Sequence, residues 1–187
     1  CNKYHPCQAL ADLLTVKELF GTLKVKMLYI GVRNNVLNSL MESLPRVGGH
    51  LYALTPIING PSHDQELLDM AKATGNFTDI DSSISRTELK KLVASVDIVY
   101  VDSWVDMEFF NDKSFESLKN ERISRMMPFQ INSDLLAGSK AIVMHDMPIH
   151  PTYEITRDVV EKNIDVILQQ AENRRHAQNG ILATLLK

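Results

Sequence analysis

Five short stretches of this chain carry side chains whose types and spacing suit chemistry. In HPCQ, His5 and Gln8 stand three residues apart, so on a helix they share one face of the first turn. An imidazole and a side-chain amide at the positive end of a helix can polarise a carbonyl and hold an anionic group nearby. In DSWVDM, Asp102 directly follows the apolar run IVYV. A carboxylate there suits an ammonium partner, with a turn or helix cap as its other use. HDMP sets His145 beside Asp146, a pairing open to acid–base work or metal ligation. No HxH or HxxxH spacing accompanies it, so no metal is expected. In ENRR, Arg174 can bind an anion or a carbonyl oxygen, or simply pair with Glu172 at the surface. GVRNN offers the amides of Asn34 and Asn35 at a helix start, where either can instead cap the helix.

The surrounding elements must bring these stretches together. A helix is expected from about Pro6 to Phe20, with Leu10, Leu13, Leu14 and Phe20 as its apolar stripe and proline in its first turn. KVKMLYIGV reads as a buried strand ending at Gly31, and Asn35 to about Leu44 as a helix. GHLYALTP reads as a strand closed by proline, and HDQELLDMAKATG as a helix with a glycine stop. RTELKKLVASV is a helix with Thr87 as its N-cap; DIVYVDSW and KAIVMHDMP are apolar strands that turn polar at their ends. After them come a short helix at DVVEKN, a short strand at DVILQQ and a last helix at ENRRHAQNGILATLLK, where Ala177, Ile181, Leu182 and Leu185 share one face. Strands apolar on both faces, alternating with helices, imply an α/β fold: a parallel sheet covered by helices on both sides, three layers in all. In such sheets ligands sit beyond the carboxyl ends of the strands. The polar clusters VRNN, DSWVDM, HDMP and QQAENRR are expected at those ends.

Composition narrows the function further. The 187 residues suffice for one domain with one core. A net charge of -3, with Lys and Arg scattered, argues against nucleic acid or a membrane surface as partner. No apolar run approaches the roughly 20 residues of a membrane span. Cys1 and Cys7 lie too close together to staple a distant loop, and a cytoplasmic location is expected. His63, His150 and His176 read as solvent-facing, and Trp104 as core. The single glycine of GVRNN falls short of a dinucleotide fingerprint, so no nicotinamide or flavin cofactor is expected.

Taken in order, the motifs resemble the transcarbamoylases, and the ornithine branch more than the aspartate one. HPCQALADLLTV is similar to that family's HPxQxLAD signature, GVRNNVLNSLM to GDxNNVxxSLM, DSWVDM to DxWxSM, HDMP to HCLP, and QQAENRRHAQNGIL to xEAENRxHxQxAxL. The resemblance implies a Rossmann-like second domain in which His5, Gln8 and Arg174 contact the carbamoyl group of carbamoyl phosphate. It places Asn35, Asp102, Asp106, Met107 and Met147 at the amino acid, with Asp102 on the α-ammonium, and Asp146 beside the reacting amine. It implies transfer of a carbamoyl group to the δ-amine of ornithine, giving citrulline, or the reverse, with no cofactor. A carbamoyl-phosphate domain with an S-T-R-T loop is expected upstream, and a homotrimer as the assembly. Without that domain the chain is expected to be inactive, with the apolar face of its last helix bare.

Four positions depart from the family's motifs. Asp146 stands for the cysteine of HCLP, Asp106 for the serine of DxWxSM, Val32 for the aspartate of GDxNN, and Ile149 where many members carry arginine. A carboxylate at 146 can favour a cationic amine, or accept its proton if burial raises its pKa. The alternatives to an ornithine enzyme are therefore a transcarbamoylase for another amine, such as putrescine or an N-acylated ornithine, and a binding paralogue without catalysis.

Overall fold

The computed structural model describes residues 2–105 and 110–186. Asp106 and Met107 lie outside them. Five parallel strands, β1 (Lys26–Arg33), β2 (His50–Ile58), β3 (Phe77–Ile80), β4 (Ile98–Val101) and β5 (Ile142–His145), form one sheet in the order β3-β2-β1-β4-β5. The described helices are α1 (Pro6–Phe20), α2 (Asn35–Ser43), α3 (Gln65–Ala73), α4 (Arg86–Ser95), α5 (Glu116–Met126) and α6 (Arg157–Leu185).

Alternation along the strands divides the core in two. Met27, Tyr29, Leu51, Ala53, Ile98 and Tyr100 point to one face, where α1, α2 and α3 cover them. Leu28, Ile30, Leu54, Val99, Val101 and Val143 point to the other, under α4, the segment around Phe129–Leu135 and the start of α6. Each such fully buried side chain stabilises by about 1.5–3 kcal/mol, which is why nearly the whole of β1 and β4 is apolar. The three-layer α/β expectation holds.

Several boundaries differ from the sequence reading. α4 is capped by Ser85, not Thr87: the Ser85 side chain accepts from the Glu88 N–H while Glu88 accepts from the Ser85 N–H. β2 runs through Pro56 to Ile58. β1 continues past Gly31 to Arg33 through a bulge between Ile30 and Val32. A Cβ on Gly31 would lie 3.1 Å from the Tyr29 ring and hydroxyl, so glycine lets that ring fold close against the strand. The strand expected at DVILQQ is helix instead: α6 is a single helix of 29 residues. Arg174 therefore lies deep inside α6, not at a helix start.

That long helix wraps the β5 edge of the sheet. Val159 joins the core on one face and Val166 packs on the other. Between them, Asn163 Oδ1 accepts from the Val143 N–H at 3.0 Å, and Gln170 Oε1 from the His145 N–H at 2.9 Å. Further along, Asn173 donates to Thr15 at 3.0 Å and to Glu18 at 2.7 Å on α1. Beyond that the helix leaves the core. Leu10, Leu14, Ala177, Ile181, Thr184 and Leu185 line an open apolar groove, with Leu185 74% exposed. The expected bare face is present, and Leu10 and Leu14 belong to it rather than to the core. Among the described residues no helix is long and apolar enough to cross a membrane.

Candidate active site

The strand order reverses between β1 and β4, so their carboxyl ends open a crevice at the point where connections lead away in opposite directions. Asn34 leaves β1 there and Asp102 leaves β4. Asn34 Oδ1 accepts from the Val36 and Leu37 N–H groups and caps α2. Its Nδ2 donates to Asp102 Oδ2 at 2.6 Å. Asn34 caps the helix as one of its two readings had it, and its Nδ2 in turn fixes the Asp102 carboxylate. Asp102 is 6% exposed and also accepts from the Ser103 N–H at 2.6 Å. Asn35 opens α2 alongside.

Two tyrosines support this edge from below. Tyr29 and Tyr100 are register partners on β1 and β4, and their rings stack with centroids 5.8 Å apart. The Tyr29 hydroxyl lies 2.8 Å from the Val32 carbonyl and 3.2 Å from Asp102 Oδ2. The Tyr100 hydroxyl donates to Asp12 at 3.0 Å. Asp12, fully buried on α1, also accepts from Gln8 Nε2 at 2.9 Å and Gln170 Nε2 at 2.8 Å. Burial pushes its carboxyl up to about 7 despite those three donors.

This network aims Gln8. With its Nε2 tied to Asp12, its Oε1 is left to accept from Arg174 Nη1 at 2.5 Å. α1 and α6 thereby bring together two residues 166 positions apart. The surface pairing offered for Arg174 falls instead to Arg175, which meets Glu172 at 3.0 Å. The Arg174 Nε–H is buried without a protein partner. His5, at the N-cap of α1, donates its backbone N–H to Ser39 Oγ at 2.7 Å. Burial first, and then Arg174, hold its imidazole below the ordinary value, so it remains neutral at pH 7.

β5 delivers the third strand end. His145 is fully buried; its Nδ1 accepts from the Met147 N–H at 2.9 Å, which leaves Nε2–H to donate to Glu154 at 3.3 Å. His145 is therefore a structural post for the turn, in a fixed tautomer. The Asp146 side chain is 9% exposed with its Oδ1 3.6 Å from His145 Nδ1, and burial first, then the charge of Asp102, holds its carboxyl well above the ordinary carboxylate range. Met147 is 43% exposed at the rim, with φ 58. His63 and His176 face solvent as expected, whereas His150 stacks on Phe110 at 3.8 Å; Trp104 is buried in the core. Among the described residues, no three His, Cys, Asp or Glu side chains gather so as to hold a metal ion.

The family model for the Asp/Orn binding domain of aspartate/ornithine carbamoyltransferase matches residues 23–185. The chain belongs to the aspartate/ornithine carbamoyltransferase family. It is 40% identical over 190 residues to the ornithine carbamoyltransferase of Moritella profunda, covering 100% of this chain and 60% of that protein. It is 39% identical to that of a Vibrio species (strain 2693), with the same coverage. The solved ornithine carbamoyltransferase of Pyrococcus furiosus is similar with a TM-score of 0.80 at 35% identity, over 97% of this chain and 56% of that one. The chain spans about 60% of the length of the carbamoyltransferases it matches.

Within this carbamoyltransferase domain the structure joins Gln8 to Arg174, sets His5 where it feels the charges of both Arg174 and Asp102, and ties Asp102 to Asn34 at the ends of β4 and β1; Asn35 opens α2 and Asp146 follows β5. Sequence reasoning missed Asp12, Gln170, Tyr29 and Tyr100, which hold the others. One signal was available: Gln8, Asp12 and Thr15 fall at i, i+4 and i+7, a polar row on the buried side of α1.

Proposed function

We propose that this chain is the amino-acid-binding half of an enzyme that transfers the carbamoyl group of carbamoyl phosphate to the δ-amine of ornithine. The observation that carries the reading is the Gln8–Arg174 contact set across one crevice from Asp102. The first end supplies donors for an oxygen that gains charge, the second a carboxylate for an ammonium group. Arg174, through its unpartnered Nε–H, and the neutral imidazole of His5 would bind the carbamoyl oxygen. Gln8 would hold the guanidinium in place and meet the carbamoyl nitrogen. Asp102, oriented by Asn34 and Ser103, would take the α-ammonium, with Asn35, Met107, Asp106 and Met147 lining the amino acid's path. The chemistry is then orientation plus stabilisation of the developing oxyanion, with no covalent intermediate and no cofactor.

On this reading a carbamoyl-phosphate domain precedes the chain and its surface covers the apolar groove between α1 and the end of α6. The assembly is a homotrimer working in the cytoplasm. The test is to express the complete reading frame and assay citrulline formation from carbamoyl phosphate with ornithine, putrescine and N-acetylornithine. Ornithine is expected to be the preferred acceptor. Preference for another amine would transfer the reading to that substrate, and absence of turnover with all three would refute catalysis.

A further inference from the structure

Between β5 and Arg174 lies a row of polar side chains that can hydrogen-bond in only one direction. Donors that cannot be reversed close it at both ends: the backbone N–H of His145 and the guanidinium of Arg174. The His145 N–H meets Gln170 Oε1 at 2.9 Å, so the Gln170 amide turns its Nε2 inward, where it donates to Asp12 Oδ1 at 2.8 Å. Gln8 Nε2 donates to the same oxygen at 2.9 Å, and Gln8 Oε1 accepts from Arg174 Nη1 at 2.5 Å. Asp12 Oδ1 thus accepts from two amides at once, and a proton taken up by Asp12 must sit on Oδ2, towards the Tyr100 hydroxyl. Gln8, Asp12, Tyr100, His145 and Gln170 are all buried, so a reversed amide would face a like group with no solvent to relieve it. Helix spacing closes the frame. Gln8 and Asp12 are four apart on α1, Gln170 and Arg174 four apart on α6, and the two rungs Asp12–Gln170 and Gln8–Arg174 join one turn of each helix.

From this geometry we infer that Gln170 is a positioning residue of the reaction: held by the backbone of β5, it sets the direction of the Gln8 amide and through it the aim of Arg174. The inference rests on the carbamoyl-transfer reading and adds to it a residue that acts only through others. Were Gln170 to offer no N–H, Asp12 Oδ1 would be free to carry the proton and donate it. Gln8 would then turn its amide to accept, and its Nε2 would face the guanidinium donor to donor. Arg174 would leave its place, and the Nε–H that has no protein partner would no longer be presented to the carbamoyl oxygen. The Asp102 end does not share this dependence, because Asn34 Nδ2 and the Ser103 N–H hold that carboxylate. Asn163 supplies a comparison within the same helix. It accepts from the Val143 N–H of β5 at 3.0 Å, as Gln170 does from that of His145, but its Nδ2 donates to the Val159 carbonyl of its own helix at 2.8 Å and not to Asp12.

The test uses the complete protein with carbamoyl phosphate and ornithine, and compares wild type, Gln170→Met, Gln8→Ala, the double variant and Asn163→Leu. Methionine keeps the length of glutamine and removes its hydrogen bonds. Gln170→Met is expected to lower kcat by about 10- to 100-fold, as misplacing a catalytic group by on the order of 1 Å does, with KM for ornithine within about threefold. The double variant should be within about twofold of Gln8→Ala in kcat, because Gln170 acts through Gln8. Asn163→Leu, which also bares the sheet edge, should lower the melting temperature and leave kcat within about twofold of wild type. If Gln170→Met does not fold, Gln170→Ala takes its place under the same expectations, its vacated space lined by polar groups that can hold water. Four results overturn the inference and leave carbamoyl transfer standing: a kcat loss below about tenfold, a rise in ornithine KM as large as the fall in kcat, losses that multiply in the double variant, or the same kcat loss in Asn163→Leu. Absence of turnover in wild type overturns the functional reading, and the inference with it.

Discussion

Replacing Asp12 by asparagine should flatten the pH dependence of stability. Asp12 Oδ1 accepts from Gln8 and Gln170, while Oδ2 faces the Tyr100 hydroxyl at 3.0 Å. An asparagine with its amide nitrogen towards Tyr100 keeps all three contacts and mimics the protonated acid. Folding raises this carboxyl from 3.8 to about 7. The folded state therefore holds the proton more tightly than the unfolded one. The resulting stability is fully present below pH 3.8 and is lost as pH rises through 7. Across that interval, roughly 3 pH units at about 1.4 kcal/mol each, the loss is on the order of 4 kcal/mol. Other buried acids, Asp146 among them, act in the same direction, so the variant is the reference that isolates Asp12. Urea unfolding of both proteins between pH 5 and 8 is the assay. Wild type should fall against the variant by about 1.4 kcal/mol per pH unit up to about pH 7 and then run parallel to it. Parallel profiles throughout would show that Asp12 does not take up a proton on folding.

Three further substitutions separate the roles of the crevice. Asp102→Ala should raise KM for the amino acid by about 10- to 100-fold, the loss of a charged hydrogen bond, with KM for carbamoyl phosphate within about twofold; equal losses in both would contradict its assignment. Gln8→Ala removes the 2.5 Å partner of Arg174. It should cut kcat by about 10- to 1000-fold with little change in amino-acid affinity, and an unchanged kcat would dismiss the oxyanion role of this end. Ser85→Ala, which opens the capping box of α4, should cost about 1 kcal/mol in denaturation with unaltered kinetics.

The strands that build the crevice were legible because burial on both faces leaves no choice but apolar residues. Runs such as IVYV and AIVMH announce themselves, and polar residues at their ends mark the ligand edge. α6 was not legible for the complementary reason. Its buried face reads Val159, Ile167, Gln170, Asn173, so the hydrophobic period gives way to amides at the point where the helix begins to touch the site. A 3.6-residue repeat counted in apolar side chains stops there, and the β-branched residues around Val166 then suggest a strand. β3 is a four-residue edge strand with one buried residue, and α5 buries only Met126; neither leaves much pattern. At the site, residues that meet ligand chemistry were visible by type and position. Those that hold them, Asp12, Gln170 and the two tyrosines, act through contacts up to 158 positions apart in the chain, and no local spacing encodes that.

The wrapping of α6 around β5 has a consequence for how this fold avoids its own kind. β5 ends the sheet, so its outward N–H groups, those of Val143 and His145, are the donors a foreign strand would seek. Asn163 and Gln170 take both. The helix thus seals the sheet's border with side-chain amides in place of a sixth strand and denies a template to partly unfolded copies. One of the two seals, Gln170, is also a strut of Asp12 and so of Gln8. A change there would loosen the crevice and open an edge to fibrous pairing at once, tying the crevice's geometry and colloidal safety to a single side chain.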